Sequence, residues 1–74
     1  MTTYEFTVIL DRIPVDEDYD RLFEAGLDDA IPETQDGRGV LIVARAADSL
    51  SAAIVSVVND AERAEFVVVG VKEE

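Results

Sequence analysis

The sequence predicts an α+β domain in which two helices cover one face of a four-stranded antiparallel sheet, and three observations lead there. Apolar and polar residues alternate near the start, with Tyr4, Phe6, Val8 and Leu10 at every second position. Two later segments repeat their apolar residues with the period of a helix, the longer at Leu50, Ala53, Ile54, Val57, Val58 and Ala61. Between them lies an uninterrupted apolar run, Val40 to Ala44, rich in β-branched side chains, too short for a free-standing helix and preceded by the turn pair Asp36-Gly37.

The first strand covers about 4–10. Pro14 lacks an amide hydrogen and disfavours helical backbone at Ile13, so the chain leaves the sheet through a short loop. Helix one follows at about 16–25. Its acidic first turn suits the positive end of the helix dipole, and Tyr19, Leu22 and Phe23 form the expected buried stripe, with Glu17, Asp18, Asp20, Arg21 and Glu24 pointing away. Gly26 is expected in the left-handed conformation after the helix, which brings Leu27 within reach of Leu22 as in a Schellman motif. Strand two, about 30–35, contains Pro32 and therefore belongs at an edge.

Asp36-Gly37 tolerates the positive φ angles of a tight hairpin, and Gly39 is expected at a bulge where strand three, about 40–46, begins. Asp48 is the expected N-cap of helix two, about 49–63, whose outer side carries Ser51, Ala52, Val55, Ser56, Asn59 and Glu62. That helix ends without a glycine. Strand four, about 65–72, is centred on Phe66 to Val71, and Lys72, Glu73 and Glu74 form a frayed end. A βαββαβ order with right-handed crossovers and the proline strand at an edge gives the sheet order 4-1-3-2 with both helices on one face, the ferredoxin-like arrangement.

Residues 1–74 form a single domain, near the small end of what folds without a staple. There is no cysteine for a disulfide, and neither cysteine nor histidine for a structural zinc. No basic segment followed by a long apolar run opens the chain, and no stretch approaches the roughly 20 apolar residues of a membrane span, so a cytoplasmic location away from membranes is expected. Seventeen acidic residues against six basic ones give a formal charge of −11, and only Lys72 is a lysine. The arginines are scattered, so direct nucleic-acid binding is not expected. Many acids with few lysines also suit a high-salt cytoplasm.

The candidate sites have plain readings. Asp16-Glu17-Asp18-Tyr19-Asp20 resembles the opening of an EF-hand loop, but Arg21 stands where that loop needs glycine and Leu27 where it needs glutamate. Glu24, Asp28 and Asp29 read as a solvated turn. Ser49, Ser51 and Ser56 have no histidine to activate them. Gly37-Arg38-Gly39 precedes a strand, whereas a phosphate-binding loop precedes a helix. The RNA-recognition domain shares the element order, yet its stacking aromatics are replaced by Val40, Leu41, Ile42 and Val43. The expectation is a protein without catalytic, metal or cofactor-binding residues, and not an enzyme.

Leu22-Phe23-Glu24-Ala25-Gly26-Leu27-Asp28-Asp29-Ala30, Asp36-Gly37, and Ala47-Asp48-Ser49-Leu50 with Ala53-Ile54 and Asp60-Ala61-Glu62 together resemble a group of small uncharacterised bacterial proteins. The resemblance covers roughly two-thirds of the chain and implies a bacterial origin and no defined activity. Many of its members carry a cysteine where this chain has Leu27, so no thiol chemistry follows.

The expected role is a small acidic interaction or oligomerisation module, as a homodimer or with another protein. The alternatives are a ligand-sensing domain of the ACT-like kind and an acidic decoy that imitates nucleic acid. Leu41 and Val43 are expected to face away from the helices together with Arg45. They would join Ile9 in an apolar patch, with Phe66, Val67, Val69 and Val71 on a hydrophobic edge strand as the second interface element.

Overall fold

Six elements succeed one another in the order βαββαβ in a computed structural model that describes residues 1–73. They are β1 (Thr2–Leu10), α1 (Asp16–Glu24), β2 (Ala30–Gln35), β3 (Arg38–Ala47), α2 (Leu50–Arg63) and β4 (Val68–Glu73). Every strand pairing is antiparallel and the sheet order is β2-β3-β1-β4, which read from the other edge is 4-1-3-2. The proline strand is at an edge, where its missing donor leaves no gap in a central ladder. Lys72 and Glu73, expected to fray, instead pair with Thr7 and Phe6 in β4, while Glu74 lies outside the described residues.

Residues paired across an antiparallel ladder share a face. Phe6 opposite Val43 and Val8 opposite Leu41 form the inner face. They pack in one core with Leu22 of α1 and Ala53, Val57 and Ala61 of α2. Both helices therefore lie on the same side of the sheet, and the shortest dimension of the molecule, 16 Å, is the depth of one helix layer on one sheet. This reverses the expected parity of β3. Leu41 and Val43 are 0% and 1% exposed, and Phe66 sits in the same core just before β4. Arg45 does share their face, but it is turned toward α2 and held by carboxylates, so its charge does not mark the solvent side.

Helix α1 is also rotated from its expected setting. Asp18 and Leu22 face inward, whereas Tyr19 and Phe23 are 47% and 66% exposed. The Asp18 carboxylate accepts the Val15 amide at 2.9 Å and Arg12 Nη1 at 2.9 Å. A carboxylate tied to the helix entry in this way occupies the inner side, and the aromatic pair turns out.

Both helices end in the same motif. The Leu27 amide donates to the Leu22 carbonyl at 3.0 Å and the Gly26 amide to that of Phe23 at 3.1 Å, with Gly26 at φ +107°. At the end of α2 the Phe66 amide donates to Ala61 and the Glu65 amide to Glu62, both at 3.0 Å, with Glu65 at φ 69° where glycine is usual. Ser49, not Asp48, caps α2, its hydroxyl accepting the Ala52 amide at 3.1 Å. The hairpin turn has positive φ at both Asp36 and Gly37. No bulge occurs at Gly39, which pairs regularly with Thr34. Gly39 is needed because a Cβ there would lie 2.3 Å from the Arg12 carbonyl oxygen. The irregularity is instead in β4, where Gly70 opposes Ile9 and Val68 opposes Leu10.

Candidate interaction surface

The side of the sheet away from the helices carries apolar residues and has no layer over it. Register places Glu5, Thr7 and Ile9 of β1, Val40, Ile42 and Ala44 of β3, Ile31 and Glu33 of β2, and Gly70 and Lys72 of β4 on it. Ile31 is 63% exposed beside the half-buried Ile42. With Glu5 and Ala44 they border a hollow of about 300 Å³. Val40 is buried although no helix covers it; Ile9, Arg38 and Lys72 line a second hollow around it, so long cationic side chains shelter that end of the face.

The residues expected at an interface are thus divided. Ile9 is on the open face and half-buried. Val67, Val69 and Val71 are exposed at or beside edge strand β4, at 56%, 58% and 37%. Leu41, Val43 and Phe66 belong to the core, and Ile31, Val40 and Ile42 stand on the open face in place of the two from β3. Strand parity points to them once the half-buried Arg45 is placed on the helix side.

Polar side chains elsewhere form two pins between distant segments. All five N–H groups of Arg45 are used: Nε and Nη2 donate to Asp29 at 2.8 and 2.9 Å, Nη1 to Asp60 at 2.8 Å and Ser56 Oγ at 3.1 Å, and Nη2 also to the Gly26 carbonyl at 2.8 Å. The Asp29 carboxylate holds the guanidinium pKa above its ordinary value, with Asp60 adding to the effect. Arg63 pairs with the other oxygen of Asp60 and donates to the Ala25 carbonyl. Asp29, expected in a solvated turn, is therefore tied to β3, and the cluster joins the end of α1 to β3 and α2.

The second pin centres on Arg12, whose guanidinium lies 3.9 Å from the centre of the Phe66 ring while pairing with Asp18 and donating to the Glu65 carbonyl. The Val15 amide, with Arg12 and Arg21 nearby, holds the Asp18 carboxyl below the usual aspartate value. These groups are mutually satisfied, and the arrangement fastens loops instead of presenting a reactive atom.

Among the described residues no three His, Cys, Asp or Glu side chains gather as a metal site, and no helix is long and apolar enough to cross a membrane. The fold and surface define a small α+β domain of ferredoxin-like architecture with one open sheet face. Comparison with family models, curated proteins and solved structures gives no match.

Proposed function

We propose that this chain is a small non-enzymatic interaction module that forms a homodimer through the open face of its sheet, in a bacterial cytoplasm and without direct contact to nucleic acid. The observation that carries the reading is Ile31 and Ile42 side by side on a sheet face that no other layer covers. A second copy suits this face because Glu33 stands on the β2 border and Lys72 on the β4 border. A two-fold axis parallel to the strands brings each Lys72 over the border carrying the other copy's Glu33. Facing sheets of this kind pack about 10 Å apart with their strands nearly aligned.

The test is light scattering at high micromolar concentration, on wild type and on two aspartate variants of adjacent β3 residues. Ile42→Asp is expected to remain folded and become monomeric, whereas Val43→Asp is expected to lose the native fold. A monomeric wild type overturns the reading. The hollow beside Ile31 supports a second reading, in which paired units enclose a small metabolite as ACT-like domains do. Stabilisation by one amino acid or nucleotide in scanning fluorimetry would favour it.

A further inference from the structure

We propose that the outer face of α1 docks a cationic amphipathic helix of another protein, on the opposite side of the molecule from the sheet face. Val15, Tyr19 and Phe23 stand at i, i+4 and i+8, beginning at the residue that caps the helix, and are 58%, 47% and 66% exposed. At this spacing they form one apolar row along the whole helix. One position further on, Asp16, Asp20 and Glu24 form a second, parallel row, with Glu17 beyond it. All four are exposed, and among the described residues no cation pairs with any of them. The acidic residue of this helix that is paired, Asp18, is the one turned inward.

The two rows specify the occupant by charge complementarity. A solvated helix face has no need of two exposed aromatic rings, and a purely electrostatic surface has no need of an apolar row. A second copy set helix to helix is a poor match, because Arg21, the one basic residue of α1, already faces Asp18 and Glu65 and leaves no cation on that helix to answer the carboxylates. An anionic membrane is repelled by the same row. What fits is a helix with Leu-like residues at i, i+4 and i+8 beside a row of Lys or Arg, its aliphatic side chains on the rings and its cations over the carboxylates, in the helix-on-groove manner. Tyr and Arg are favoured anchors in such contacts, and a guanidinium also stacks on an aromatic face.

The experiment titrates the protein with a synthetic amphipathic Leu/Arg peptide, and with the same peptide carrying Glu for Arg, while amide shifts are followed by NMR. Binding of the Arg peptide is expected to move residues 15–24. The paired substitution Tyr19→Ser and Phe23→Ser keeps net charge constant and is expected to weaken binding roughly tenfold or more with an unchanged melting temperature, since both rings are exposed. Asp20→Asn with Glu24→Gln should weaken binding and flatten its salt dependence more than Glu5→Gln with Glu33→Gln, which removes equal charge from the sheet face. Equal binding by the serine variant would reduce the effect to general attraction between a polyanion and a polycation and overturn the proposal. So would equal binding of the Glu peptide, or shifts outside α1.

Discussion

Glu65 has φ 69° at a position that closes the end of α2, a conformation that costs a residue with a Cβ on the order of 1 kcal/mol. Glu65→Gly is therefore expected to stabilise the fold by about 1 kcal/mol, because the Arg21 contact it gives up is solvent-exposed and weak. A thermal melt reads this as a rise of several degrees in a chain of this size. The reverse holds at Gly39, where the Arg12 carbonyl leaves no room: Gly39→Ala should cost about 2 kcal/mol or more, while Gly37→Ala meets no neighbouring atom and is limited to the strain of its positive φ. Gly26, with a positive φ and the Asp60 carboxylate 3.0 Å from where a Cβ would stand, combines both penalties in Gly26→Val. The need for Gly26 was legible because a glycine, followed by a leucine five residues after another, is a local signal. The need for Gly39 was not, because the atom it avoids belongs to a loop 27 positions earlier.

Helices and strands were legible wherever the pattern was carried by apolar residues, as in β1, β3 and α2. Their orientation failed where a charged residue had to be assigned a side. By pattern Arg45 and Asp18 both read as solvent-facing, and both are drawn inward by polar partners: Arg45 by Asp29 and Asp60, distant in sequence, and Asp18 by Val15 and Arg12 of the loop that precedes its own helix. The Asp18 carboxyl titrates below its ordinary value, so by linkage its contribution is complete above the unfolded aspartate value near pH 4 and is lost as pH falls through the lower folded value. The difference in melting temperature between wild type and Asp18→Asn should accordingly be constant near neutrality and shrink below about pH 4. At the other pin, Arg45→Ala removes the shared cation from Asp29 and Asp60 and should destabilise by about 3 kcal/mol, measured by urea unfolding. Asp60→Asn keeps one acceptor oxygen for Arg45 or Arg63 and loses the other, but leaves the Arg45–Asp29 pair in place, and should cost less.

For the whole molecule, an excess of eleven negative charges on 74 residues makes self-repulsion a general load on the folded state. Added sodium chloride between low and moderate concentration should therefore raise the melting temperature, with a neutral protein as reference for salting-out. A fall over that range would contradict the expectation. The element order and sheet order were legible from handedness and the proline edge, and so was the existence of an uncovered face. Which residues occupy that face required the parity of β3, and the exposed stripe on α1 required the rotation of a helix whose inner side includes a carboxylate. The cations add one consequence. Four of the six, Arg12, Arg21, Arg45 and Arg63, are held in ion pairs, and the other two, Arg38 and Lys72, lie on the sheet side. The unpaired carboxylates of α1 lie on the other side. On the sheet face Glu5 and Glu33 offset Arg38 and Lys72, whereas among the described residues nothing offsets the carboxylate row of α1, so the negative charge is unevenly distributed along the normal to the sheet, and near a cationic neighbour the molecule arrives already oriented, helix side foremost.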